Sequence, residues 1–273
     1  MDEALATGDA LPPRTRAIAL YYAHTVSFWQ RVDPHAAPGL AESAALFRQQ
    51  GEGAGAGLAS LSLALVSVAT DPPDIAGAIQ AIRAGLSDFR AAGDRWGEAL
   101  ALIPSGRMAL GRGDLTAAQR DFEASLALAR DLCDDLNSAI ALNHLGWTAL
   151  RRGEVGPAGA RFSDGLRRSV RLGHDEGVAY GLEGLLAVAV LQGNAARAAR
   201  LLGATEARRE RLGLHTTVNA AYYELALVAL RARSDPGAFE WHEADGRRLG
   251  AGDAVREALN TLDPEPGGVT HAP

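Results

Sequence analysis

Glycines and small residues recur along this chain at intervals of 40 residues, and that echo constrains the fold more than any other feature. Gly93, Cys133 and Gly173 share one phase, Gly97, Asn137 and Gly177 share another, and Gly113, Gly153 and Gly193 mark the half-way point of each period. Ala118, Ala158 and Ala198 follow the half-way glycines, and then Phe122, Phe162 and Leu202. Self-similarity at this interval specifies a stack of near-identical helical hairpins, in which each unit buries its apolar face against its neighbours. Stacks of this kind commonly bind partners and seldom carry out chemistry.

Within one period the apolar spacing is helical. From Asp114 to Arg130, the residues Leu115, Ala118, Phe122, Leu126 and Ala129 recur three and four apart and form one stripe. The segment before it, Trp96 to Met108, is nearly apolar on all sides, as a helix between neighbours should be. Gly111 to Asp114 separates the two, with glycine for the turn and Asp114 as the cap of the next helix. Arg152 to Glu154 and Gln192 to Asn194 repeat that arrangement, and Asp134 and Asp135 read as caps. Upstream, Pro73 and Asp74 hold the half-way phase, and a looser copy begins near Gly51, with a turn about two residues longer. Arg14 to Arg31 and Ala36 to Gln50 form a first hairpin, broken at Asp33–Pro34. Asn219 to Arg231 and Pro236 to Leu249 form a last irregular hairpin after a loop around Leu212 to Thr217, and Ala254 to Leu259 a short final helix. The expectation is an all-α fold of about six antiparallel hairpins, a single domain over 8–262, followed by a disordered tail over 263–273 that is rich in Pro and Gly.

Composition narrows the function. Hydrophobic residues make up 47% of the chain but aromatics only 5%, so close helix contacts must rely on Ala, Leu and Gly. A net charge of -6 has the wrong sign for a binder of phosphate backbones, and no direct nucleic-acid contact is expected. Lysine is absent, so no P-loop can be placed, and no Gly-rich run follows a strand. One cysteine, Cys133, allows no internal disulfide and no Cys-based zinc site. No apolar run approaches the roughly 20 residues that span a bilayer. The acidic start lacks the order of a signal peptide, and a cytoplasmic location is expected. Neither enzyme activity nor a cofactor is expected. His242 and Asp245, three apart, could seat half of a metal site, but a surface histidine among acidic neighbours is the simpler reading.

Leu142, Leu145–Gly146, Ala149, Ala158, Phe162 and Gly165 resemble the signature of the tetratricopeptide repeat. The period is 40 where the standard unit has 34, so the helices must run longer. Gly106 and Gly146 fit the close-contact glycine of that signature and Leu186 does not. Gly93 to Gly97, Leu201 to Glu206, Gly237 to Trp241 and Gly246 to Arg248 further resemble the C-terminal region of bacterial signal-transduction ATPases, including LuxR-type and AfsR-type transcriptional regulators. The likeness covers about residues 8 to 260. It implies a right-handed superhelical array that senses a protein or small-molecule effector. The implied companions are the nucleotide-binding and DNA-binding domains of the same parent, which would begin upstream of Met1. A free-standing scaffold or peptide-binding adaptor is the alternative.

In a tetratricopeptide array the first helix of each pair lines the concave face. Carried over by phase, this implies that Arg107, Asn143, Trp147, Tyr180 and Glu183 face the groove, with Tyr223 added if the last hairpin keeps the phase. Isolated polar residues on apolar inner helices either find internal partners or meet a ligand. In the first case Asn143 and Glu183 satisfy backbone or arginine groups between repeats and Trp147 is packing. Trp147 is the expected anchor, flanked one repeat away by Arg107 and Ala187. Tyr21, Tyr22, His24 and Trp29 form a second aromatic cluster that suits an end cap or an end-to-end contact.

Overall fold

A computed structural model describes residues 11–30, 36–213 and 220–260. The described residues form thirteen helices and no strand. In chain order they are α1 (Pro13–Gln30), α2 (Ala36–Gln49), α3 (Gly53–Ala69), α4 (Ile75–Ala92), α5 (Arg95–Gly111), α6 (Leu115–Asp131), α7 (Asp135–Arg151), α8 (Val155–Leu172), α9 (Asp175–Leu191), α10 (Ala195–Leu212), α11 (Ala220–Arg233), α12 (Pro236–Arg247) and α13 (Ala251–Leu259). The tail over 263–273 and most of the expected loop before α11 lie outside the described residues. No described helix is long and apolar enough to cross a membrane.

The period of 40 is kept by turns of fixed chemistry. Asp74, Asp94, Asp114 and Asp134 stand 20 residues apart, and each side chain accepts a hydrogen bond from the backbone N–H three residues on. His174 and Asn194 do the same for α9 and α10, at 3.2 and 3.1 Å. Each thereby satisfies one of the N–H groups that a helix start leaves without an intrahelical partner. Glu154 holds the same phase but makes no side-chain cap. Asp135 is not a cap either, because its carboxylate pairs with Arg168 and Arg171. At the other end of the helices, Gly93, Gly173 and Gly213 adopt positive φ of 67°, 64° and 64°. Cys133 occupies this phase at φ 54°, a left-handed backbone that glycine adopts without strain and cysteine does not. From α3 to α10 the helices run to 17 or 18 residues, the added length that a 40-residue period needs.

The chain divides into two compact units at Leu132 and Cys133. In the first, α1 packs on α2, α2 on α3, α3 on α4, α4 on α5 and α5 on α6, and short turns make consecutive partners antiparallel. Gly106 lies against Phe122, where an added Cβ would sit 2.5 Å from the ring. Tyr21 and Tyr22 meet edge to face at 5.3 Å, and the His24 ring closes on Gly39. The side chain of Trp29 lies outside the description.

In the second unit α7 packs on α8, α8 on α9 and α9 on α10. The Phe162 ring is slotted between Gly146 and Gly184, whose added Cβ atoms would approach it to 2.5 and 2.3 Å. In the next repeat Leu186 replaces the glycine and Leu202 replaces the phenylalanine, and both are fully buried in the same core. The exchange moves bulk from one helix to its partner and so keeps the gap filled. Ala118, Ala158 and Ala198 are each fully buried, as tight crossings require.

The last hairpin departs from expectation. α12 packs on α10, not on α11. A Cβ at Gly203 would fall 2.0 Å from the Glu243 carbonyl oxygen, and one at Gly246 2.0 Å from that of Arg200. Reciprocal glycines thus let the two backbones touch. Arg247 locks the contact by pairing with Glu206 at 2.6 Å and Glu210 at 3.0 Å. The final helix begins at Ala251, earlier than expected, and packs on α8, α9 and α10, while α11 packs on α9 and α10.

Candidate functional site

Five of the six residues expected on the groove lie in the second unit, and Arg107 lies in the first, exposed on α5. Three of the five have partners within the unit. The Asn143 side-chain amide donates to the Tyr180 carbonyl at 3.0 Å and ties α7 to α9. The Tyr180 hydroxyl donates to the Glu176 carboxylate. Glu183 is only 1% exposed and its carboxylate pairs with Arg209 from α10. A buried carboxylate left alone would be very costly, so the pair holds its two helices in register.

Tyr223 from α11 is buried beside this group. Burial first, and then the Glu183 and Glu206 carboxylates, push its hydroxyl above the ordinary tyrosine range. Tyr180 is pushed upward by burial and by Glu176. Asn143, Tyr180, Glu183 and Tyr223 therefore belong to the joints between helices more than to an open face.

Trp147 has two surroundings at once. Its ring is 2% exposed and meets Phe162 edge-on at 5.4 Å, inside the core. It also lines an open cavity of about 250 Å³. The cavity is bounded by α7 through Trp147 and Arg151, by α9 through Ala187 and Leu191, and by α11 through Tyr222 and Leu225. Tyr222 lies tilted beside Trp147 at 6.3 Å. The Arg151 guanidinium sits over the Tyr222 ring, 4.7 Å from its centroid, an arrangement that attracts the cation to the ring face. Leu191 and Leu225 remain 52% and 67% exposed at the rim.

Arg151, Tyr222, Leu191 and Leu225 were not among the expected site residues. The echo does not single them out: the phases Arg107–Trp147–Ala187 and Gly111–Arg151–Leu191 differ in every copy, but so do neighbouring phases such as Met108–Thr148–Val188, whose last two members are buried. Tyr222 and Leu225 lie on α11, outside the repeating part.

No group of three or more His, Cys, Asp or Glu side chains among the described residues is arranged to hold a metal. The His242 ring instead meets Trp241 edge to face at 4.7 Å. Cys133 is exposed. No family model matches the chain, and no curated protein matches it.

Proposed function

We propose that the chain is the sensor or protein-interaction region of a bacterial transcriptional regulator, built from tetratricopeptide-like repeats in a right-handed superhelix. The observation that carries this reading is the open, mostly apolar cavity between α7, α9 and α11. A scaffold of stacked hairpins with an apolar concavity is suited to recognition. The resemblance of Leu201 to Glu206 and Gly246 to Arg248 to signal-transduction ATPases supplies the regulatory context. These two segments are the ones that clasp α10 to α12, so the resemblance rests on a joint that terminates the array. In a regulator of this kind the region would restrain a nucleotide-driven switch until its effector or partner arrives.

The test has a genetic and a functional arm. The coding sequence around this chain is expected to encode a P-loop ATPase and a DNA-binding domain, in frame or in the adjacent gene. Deleting residues 135–260 from that regulator is expected to change its transcriptional output in the absence of the cue. A solitary gene whose product binds a fixed peptide partner would favour the free-standing scaffold and sink the regulatory reading.

A further inference from the structure

We infer that the cavity between α7, α9 and α11 is a binding site for a small carboxylic acid with an apolar body, and that Arg151 is its anion partner. The inference rests on the reading of this chain as an effector-binding module and names the chemistry of the effector.

Three features select this ligand class. The walls supplied by Trp147, Ala187, Leu191, Tyr222 and Leu225 are apolar or aromatic, and Arg151 is the only charged side chain among the described residues that line the cavity. Arg151 has no carboxylate partner among the described residues, so its charge is not already neutralised by the chain. Its one recorded contact is with the Tyr222 ring. A ring contact steadies a guanidinium without consuming its N–H donors, so the fork remains able to take both oxygens of a carboxylate. Arg151 is exposed at the mouth of the cavity, so its guanidinium can be reached by a ligand entering from solvent.

Size sets the limit on the body. About 250 Å³ lies just below the roughly 300–1,000 Å³ of ordinary ligand pockets. The fit is to a ligand of about a dozen non-hydrogen atoms, with an aryl or branched alkyl group against Trp147 and Ala187. Nucleotides fail on both size and polarity, and sugars on polarity.

The probe is 4-phenylbutyrate, with 4-phenylbutanamide as its uncharged counterpart, titrated into the full chain by isothermal calorimetry. The acid is expected to bind with a Kd on the order of 0.1 mM, and the amide at least about tenfold more weakly. Arg151→Gln should weaken the acid about tenfold and leave the amide unchanged, with Arg151→Lys between. Ala229→Leu, which fills the cavity from α11, should abolish binding of both. Circular dichroism melts confirm that each variant is folded, and a variant that melts early is replaced by Leu225→Glu, which sets a competing carboxylate at the rim from an exposed position and should abolish binding of the acid. Equal binding of acid and amide, no binding of the acid to the wild-type chain, or an Arg151→Gln variant that binds the acid unchanged would each overturn the assignment. A free carboxylate can also come from a protein's C-terminus. An acetylated pentapeptide ending in Leu–Phe that bound more tightly than the acid would overturn the small-molecule class. Failure in any of these arms leaves the gene-neighbourhood and deletion results untouched, so the two readings fail separately.

Discussion

The two units obey the same repeat and bury it differently. In the first, α3 and α5 each keep part of their circumference open. In the second, α7 and α9 are buried along nearly their whole length, and one continuous core runs from Trp147 to Ala258. Turn chemistry does not explain the difference, because the capping phases are shared. The helices outside the repeat do: α11 and α13 lie against α9 and α10 and enclose what a bare array would leave open. The same enclosure produces the cavity, since α11 supplies one of its three walls. A repeat therefore specifies its own neighbour contacts, while the irregular end of the chain decides which face becomes a site.

Deleting core rings should expose this contrast most sharply. Phe162 sits between two glycines, Gly146 and Gly184, and Phe122 lies against Gly106. Phe162→Ala is expected to cost about 5 kcal/mol and Phe122→Ala about 3 kcal/mol, the two ends of the usual range for a buried phenylalanine. Urea unfolding of the two variants measures both, and equal costs would show that the added helices contribute nothing to the core around Phe162.

A smaller effect distinguishes backbone contact from ordinary packing. Gly203→Ala forces a methyl group against the Glu243 carbonyl and should cost about 1–3 kcal/mol. Gly159→Ala places its methyl group 3.6 Å from Val188 and should gain about 0.5–1 kcal/mol, because alanine favours the helix. Opposite signs in thermal melts of the pair are the expected result. Destabilisation by both would mean that α8 is packed as tightly as the α10–α12 clasp.

The smallest effects come from the two turns where the echo fails. Cys133→Gly relieves a left-handed cysteine and should stabilise by about 1 kcal/mol. Glu154→Asp restores the short carboxylate that caps the other helices and should add about 0.5 kcal/mol. Urea midpoints report both, and an unchanged midpoint for Cys133→Gly would show that the strain there is negligible.

Local physics was legible in the sequence, and long-range placement was not. Helix length, the capping Asp114 and Asp134, the positive-φ phases and the buried Ala118, Ala158 and Ala198 all follow from spacing, because each is decided within a turn or two of chain. The class of partner for Asn143 and Glu183, a backbone group and an arginine between repeats, was legible as the alternative to a ligand. Which groups supply it was not, because Tyr180 and Arg209 lie 37 and 26 residues away on helices whose rotation about their axes spacing leaves open. Arg151 lies in the phase one turn beyond the expected Trp147, but its pairing with Tyr222 required knowing that α11 returns to α7 and α9. The expected last hairpin failed for the same reason. Nothing local says that Gly203 and Gly246 will meet, and their contact draws α12 away from α11.

The metronome of caps at Asp74, Asp94, Asp114 and Asp134 has a consequence for how such a chain can change length. Its natural quantum is two helices. Losing or gaining one would keep every cap in register, yet it would exchange helices that are apolar on nearly all sides with helices that carry a single apolar stripe, so side chains beyond the lesion would meet the wrong neighbours. The repeat can grow or shrink without repacking only in steps of 40 residues, although its caps recur every 20.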